Sequence, residues 1–178
     1  MIKGIIFDWT GTLGSVKDVG SVGDVIGEER KYKLLTSQIG TIRMNAEEKV
    51  AVKEILDGAV LSLYGDSEKF IKKLKEKGYL LAIISDMYAV TTDRVREKFS
   101  DFLSHFDKII LSAEVGLKKP SKEIFKYTLH ELGLNPDEAL MIGDKEEKDF
   151  IVPQELGMNA RLIDRNSQSL KDVLGDLI

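Results

Sequence analysis

The sequence predicts an α/β protein in which helices cover both faces of a parallel sheet and a small helical segment is inserted after the first strand. Three observations lead there. Five short apolar runs, at residues 2–7, 79–84, 108–111, 139–142 and 160–163, are nearly continuous rather than alternating, as strands buried on both faces are. Between the later runs lie amphipathic patterns of helical period, and strand alternating with helix implies βαβ crossovers. The stretch from residue 14 to about 64 breaks this alternation.

The first run stops at Asp8 and is followed by Gly11, which marks a tight turn. The interrupting stretch begins with Gly14, Gly20, Gly23 and Gly27 among valines, a composition that predicts a flexible hairpin or hinge rather than a helix. Two helical patterns follow, at residues 28–39 and 45–63. The second carries Val50, Ile55, Ala59, Leu61 and Leu63 as apolar positions, with Asn45 as N-cap and Glu48 three residues on. Together they predict an inserted helical hairpin over one end of the sheet. A helix over residues 67–77 places Phe70, Ile71 and Leu74 on one side and stops at Gly78. Another over 121–132 aligns Ile124, Phe125, Thr128, Leu129 and Leu132 before Gly133. Weaker patterns cover 146–156, where Pro153 disturbs the end, and 167–177.

Composition narrows the chemistry. With 178 residues, 43% of them hydrophobic and 31% charged, the chain is of ordinary globular make-up and of one-domain length, so disorder is disfavoured. The absence of cysteine excludes disulfides, a thiol nucleophile and thiolate metal sites, and two histidines, His105 and His130, are too few for a multi-histidine zinc site. The net charge of −4 and the lack of a Lys/Arg block lead to the expectation of no nucleic-acid partner. No apolar run approaches the roughly 18–20 residues of a membrane span, and none forms a signal-peptide core. A cytoplasmic chain without membrane partners is expected.

Four segments carry chemistry, all at predicted C-terminal ends of strands, where open α/β sheets bind ligands. Phe7-Asp8-Trp9-Thr10-Gly11-Thr12-Leu13 sets a carboxylate directly after a buried strand, suited to act as nucleophile or metal ligand; the plain alternative is a turn aspartate. Ile84-Ser85-Asp86 ends the next strand in a hydroxyl, which taken alone reads as a helix cap. Gly116-Leu117-Lys118-Lys119-Pro120 precedes a helix, and alone reads as a solvated charge pair. Ile142-Gly143-Asp144-Lys145-Glu146-Glu147-Lys148-Asp149 offers carboxylates of the kind that hold hard divalent cations, the alternative being an exposed helix start at Glu146 and Glu147.

In order and spacing these four segments resemble the haloacid dehalogenase (HAD) superfamily in its magnesium-dependent, phosphatase-like branch, over nearly the whole chain outside the insert. The resemblance implies a doubly wound parallel sheet with residues 1–13 and 65–178 as catalytic core and 14–64 as a small helical cap. It implies Asp8 as nucleophile, Ser85 as a phosphoryl-oxygen ligand with Thr12 and Asp86 also toward substrate, and Lys119 as the motif lysine, with Lys118 as alternate. Mg²⁺ would be held by Asp8, the main-chain oxygen of Thr10 and Asp144, with Asp149 in support, and the substrate would be a small phosphorylated metabolite. One departure stands out. Most phosphatases of the superfamily carry a second, acid–base Asp where this chain has Thr10. A hydroxyl is too weakly acidic for that task, whose loss typically costs about 10²–10⁴-fold. Two alternatives follow: a phosphoryl- or metal-binding module without turnover, or a phosphonatase-like C–P hydrolase, which would need a cap lysine such as Lys31, Lys33, Lys49 or Lys53. Trp9, Phe99, Phe102 and Phe106 read as packing, and the two histidines as ordinary surface or helix residues.

Overall fold

A computed structural model describes residues 1–17, 20–37 and 42–178. Its centre is a five-stranded, wholly parallel sheet. The strands are β1 (Gly4–Phe7), β4 (Leu80–Ser85), β5 (Lys108–Leu111), β6 (Ala139–Gly143) and β7 (Asn159–Leu162), in the order β5-β4-β1-β6-β7. The central strand β1 is wholly buried, its Phe7 in register with Ile83 on one side and Ile142 on the other. From β1 the chain winds outward through β4 and β5, then returns to place β6 on the other flank. The direction of winding thus reverses between β1 and β6, and a crevice opens there at the carboxyl ends of the strands.

Side chains alternate across the sheet and divide the core in two. On one face Ile5, Phe7, Leu81, Ile83 and Ile142 pack against α4 (Ser67–Glu76) through Phe70, Ile71 and Leu74, and against α10 (Leu170–Leu174). On the other, Ile6, Ala82, Ile84 and Met141 meet α8 (Lys122–Leu132) through Ile124, Phe125, Leu129 and Leu132. The helix predicted at 146–156 is split instead into a π-helical turn, Glu146–Ile151, and a short α9 (Val152–Glu155) in which Pro153, having no N–H to give, is tolerated in the first turn.

Between β1 and α4 the expectations need correction. Gly14 opens a strand, β2 (Gly14–Lys17), and Gly23 lies inside a short helix, α1 (Val22–Ile26), so this stretch is not the irregular hinge its glycines suggested. The pattern at 28–39 is helical over α2 (Glu28–Leu34), and Ile39 lies outside the described residues. The capping box of Asn45 and Glu48 does start a helix, α3 (Ala46–Gly58), but that helix buries Val52 and Leu56 while Val50 is exposed. Residues 60–63 are not helical. They form β3 (Val60–Leu63), antiparallel to β2, with Leu61 buried between exposed Val60 and Ser62. Leu61 and Leu63 are two apart, a spacing that shares one face of a strand and never one face of a helix.

Two helices on the carboxyl side of the sheet carried no clear sequence signal. In α5 (Ala89–Lys98) the buried positions include Thr91 and Thr92, so part of its inward face is polar, and α7 (Ser112–Val115) is a single turn. A further turn, α6 (Ser100–Leu103), brings Phe102 beside Trp9, which is fully buried against Phe99 and Phe102 at ring separations of 5.4 and 6.1 Å. Trp9 is a packing residue. Among the described residues no helix is long and apolar enough to cross a membrane.

Candidate active site

The four chemical segments converge on the crevice between β1 and β6. Asp8 follows β1 directly, and its N–H donates to the Ile142 carbonyl at 2.9 Å, which ties the turn to the neighbouring strand. The N–H groups of Thr12, Leu13 and Gly14 all donate to the Trp9 carbonyl, folding the chain back on itself. Gly11 sits at the bend with φ +84°, and a Cβ there would lie 2.5 Å from Asp144 Oδ2. Only glycine satisfies both demands.

A cavity of about 130 Å³ is lined by Asp8, Thr10, Ser85, Asp86, Lys119, Asp144, Lys145 and Lys148. At its base Lys119 Nζ donates to Asp8 Oδ1 at 2.7 Å and to Asp149 Oδ1 at 2.5 Å. The Lys119 and Asp149 side chains are only 3% and 0% exposed. Asp149 reaches this position because the π-helical turn carries it inward, its second oxygen accepting the Lys145 N–H at 3.0 Å. Wide turns of this kind recur at functional sites. Gly143 makes room, since a Cβ on it would fall 2.3 Å from Asp149 Cγ.

The electrostatics follow from this crowding. Burial drives the Asp8 carboxyl up to about 7; Lys119 opposes the rise, while Asp149 and Asp144 add to it. For Lys119 burial pulls the pKa down, and the Asp8 and Asp149 carboxylates more than reverse that, leaving the ammonium above its ordinary range. Asp8, Asp144 and Asp149 each offer an oxygen within 4.8 Å of the others, and Asp144 Oδ1 is buried without a hydrogen-bond partner. An all-oxygen donor set with surplus negative charge and an orphaned carboxylate oxygen fits a hard divalent cation.

Of the residues singled out from sequence, the structure brings together Asp8, Thr10, Ser85, Asp86, Lys119, Asp144 and Asp149. It does not bring Thr12, which is fully buried with its hydroxyl unpartnered and is not among the lining residues, because the turn aims it inward. Of the two adjacent lysines only Lys119 meets Asp8; Lys118 Nζ instead lies 3.3 Å from the centre of the Tyr32 ring on α2. Glu146 and Glu147 are exposed, and so is His130. Lys31 and Lys33 pair with Glu28 and Glu29, Lys53 pairs with Asp57, and none of Lys31, Lys33, Lys49 or Lys53 lines the cavity. Two lining residues escaped sequence reasoning, Lys145 and Lys148. Lys145 pairs with Asp144 at 2.7 Å, and Lys148 with Asp86 at 2.8 Å. The only signal was a lysine at each end of an acidic run.

Comparison with known proteins bears on this arrangement. Residues 26–163 match the family model for haloacid dehalogenase-like hydrolases, a span that takes in Ser85, Lys119 and Asp144 and begins after Asp8. Among curated proteins, the phosphoserine phosphatase of Thermus thermophilus is 32% identical over 105 residues, 58% of this chain and 41% of that protein. The glyceraldehyde 3-phosphate phosphatase of Methanocaldococcus jannaschii is 34% identical over 117 residues, 64% of this chain and 50% of its own. The chain thus spans about half the length of the curated relatives it matches. A HAD family enzyme of Bacteroides thetaiotaomicron, solved with magnesium and inorganic phosphate, superposes with a TM-score of 0.73 at 20% identity, over 97% of this chain and 98% of that one. At that identity the likeness establishes the fold. The chain belongs to the haloacid dehalogenase-like hydrolase family.

Proposed function

Proceeding from that membership, we propose that the protein is a magnesium-dependent phosphatase acting on a small phosphorylated metabolite, with Asp8 as nucleophile. The observation that carries this reading is the buried Lys119 ammonium bridging Asp8 and Asp149, with Asp144 alongside, at the point where the sheet reverses its winding. The phosphatase names of the relatives support it.

Asp8, Asp144 and the main chain at Thr10 would hold the metal, with Asp149 in support. When bound, a divalent cation neutralises the approaching phosphate dianion and the charge gathering on its equatorial oxygens. Lys119 adds a fixed positive charge on the same side, and Ser85 offers a hydroxyl to a phosphoryl oxygen. An Asp8 oxygen attacks phosphorus in line; the P–O bond to the alcohol breaks, and an aspartyl phosphate forms. Water then attacks that acyl phosphate and releases phosphate and free Asp8. The departing alkoxide needs a proton, and Thr10, exposed at the rim with no acidic group, is ill suited to supply it. Substrates with good leaving groups should therefore turn over best. Residues 14–64 serve as the cap, since Val16 from that segment helps to wall the space beside the cavity.

Thr10 also favours a second reading, a module that binds or captures phosphoryl groups without turnover. One panel separates the two: wild type, Asp8→Asn and Thr10→Asp, assayed with and without magnesium on acetyl phosphate and on a simple alkyl phosphate. The phosphatase reading expects magnesium-dependent turnover of acetyl phosphate in wild type and none in Asp8→Asn. It also expects a gain of up to about 10²–10⁴-fold on the alkyl ester in Thr10→Asp. No turnover in wild type or Thr10→Asp, with a magnesium-dependent covalent burst, would establish the second reading instead.

A further inference from the structure

Beside the phosphoryl cavity lies a second one, of about 210 Å³, lined by Thr10, Val16, Asp86, Met87, Tyr88 and Thr91. Thr10 and Asp86 line both. A phosphate ester seated with its phosphorus at Asp8 can send its alcohol portion past these two residues into the second space. The second space is smaller than the roughly 300–1,000 Å³ of drug-sized sites, so it suits a compact group.

Charge is divided unequally between the two spaces. Lys119, Lys145 and Lys148 line the phosphoryl cavity, and none of them lines the second, where, among the described residues, Asp86 is the one ionisable acid or base other than the Tyr88 phenol. Asp86 is held in place at the throat. Its Oδ1 accepts the Lys119 N–H at 2.9 Å and its Oδ2 the Lys148 ammonium at 2.8 Å. The ion pair is thus polarised across the throat, with ammonium toward the phosphate and carboxylate shared with the far side. Met87 and Thr91, both nearly fully buried, and Val16 complete a wall that, among the described residues, presents no cation to receive an anion.

We propose that this second cavity is a leaving-group subsite that selects by charge: it admits phosphate monoesters with a compact uncharged or cationic alcohol portion and refuses those bearing a carboxylate or a second phosphate there. The inference rests on the phosphatase reading for the seating of the phosphoryl group. Its basis is exclusion by a like charge rather than added attraction, which is how a small site discriminates between ligands of equal size.

Calorimetry in magnesium with stable phosphonates tests it without turnover. Propylphosphonate, 2-aminoethylphosphonate and 3-phosphonopropionate differ mainly in the charge they bring to the second cavity, and methylphosphonate fills the first alone. The carboxylated compound should bind at least about tenfold more weakly than propylphosphonate, and the amine at least as well as propylphosphonate. Val16→Lys, which adds an ammonium from β2, should recover about tenfold for the carboxylated compound and leave methylphosphonate unchanged. Asp86→Asn should narrow the same gap, and tests the idea independently if Val16→Lys does not fold. Equal affinity of wild type for the propyl and carboxylated compounds overturns the subsite. Selective binding without turnover of acetyl phosphate sustains the subsite and overturns the phosphatase reading. Failure of every phosphonate to bind overturns both.

Discussion

The five-stranded sheet and the excursion between Gly14 and Leu63 are held together by different means. The sheet buries continuous apolar strands between helices on two faces, with Ile5, Ile6, Phe7, Ile83, Ile84, Met141 and Ile142 all fully buried. The excursion has a small apolar cluster of its own, built from Val22, Ile26, Leu34, Met44, Val52 and Leu56. It meets the rest of the molecule through apolar contacts, with Leu61 in the sheet's core cluster and Tyr88 and Val90 against its own, and through cations and hydroxyls that reach into its carbonyls. Arg94 on α5 donates to the Leu56 and Ala59 carbonyls at 2.6 and 2.7 Å, Lys98 to Leu61 at 2.8 Å, and Ser112 to Leu35 at 2.6 Å. The difference teaches where precision is placed. Groups that must be held rigidly, Asp8, Lys119 and Asp149, stand at the carboxyl edge of the sheet, while the excursion that lends Val16 to the second cavity adds separable polar contacts to its apolar packing.

The largest expected effect breaks the sheet side of the comparison. Phe125 on α8 is fully buried against the Ile6 face, and Phe125→Ala should destabilise the protein by about 3–5 kcal/mol through lost transfer energy and the cavity left behind. Denaturant titration followed by tryptophan fluorescence and by far-ultraviolet circular dichroism should show one coincident, left-shifted transition. A loss below about 1 kcal/mol would mean the sheet is not the dominant store of stability.

A smaller, local effect sharpens the other side. Arg94→Met keeps the aliphatic stem but leaves two carbonyls without their charged donor, a loss of about 1.5–3 kcal/mol. If the excursion opens independently, hydrogen exchange in α3 and β3 should quicken by about 10–100-fold while amides of β1, β4 and β6 keep their protection. Equal acceleration in both regions would show that excursion and sheet open as one unit, and the contrast would fail.

Legibility follows the same divide. The three inner strands announced themselves because burial on both faces leaves an uninterrupted apolar run, while the edge strands β5 and β7, only partly covered, kept shorter runs with a charged residue in each. The observed limits of all five, such as Lys108–Leu111, agree with those runs to within two residues. The site was legible for the same reason, since a carboxylate directly after such a run has its position fixed by the strand. Asp8 and Asp144 are of this kind. What escaped lies where long-range packing decides. Val60–Leu63 continues an apolar pattern begun by a helix, and only its pairing with Gly14–Lys17 makes it a strand. Thr12 sits in the right motif but is turned inward by three hydrogen bonds to one carbonyl. Lys148 lies within the π-helical turn and Lys145 caps its start, and no local pattern announces that turn.

The smallest expected effect concerns the seam where the excursion rejoins the sheet. Asp66 stands just before α4, with its side chain 23% exposed. It accepts the Leu170 N–H at 2.7 Å at the start of α10 and both terminal nitrogens of Arg165, whose guanidinium lies 4.2 Å from the Tyr64 ring. Burial pushes the Asp66 pKa up, but Arg165 and the Leu170 N–H outweigh it, so the folded-state pKa lies below the ordinary aspartate value of about 3.9. A depressed folded pKa contributes stability that is complete above the unfolded-state pKa and is lost as pH falls through the folded value. Asp66→Asn should therefore cost about 1 kcal/mol at neutral pH, the upper end for a pair with this exposure. The gap between the variant and wild type should shrink steadily below about pH 4. Urea titrations of both proteins from pH 7 down to pH 3 read this directly. A gap that stays constant across that range would show that the seam is held by packing of Tyr64 and Arg165 rather than by the ionised carboxylate. In that case the polar fastening described for the excursion would not extend to its junction with the sheet.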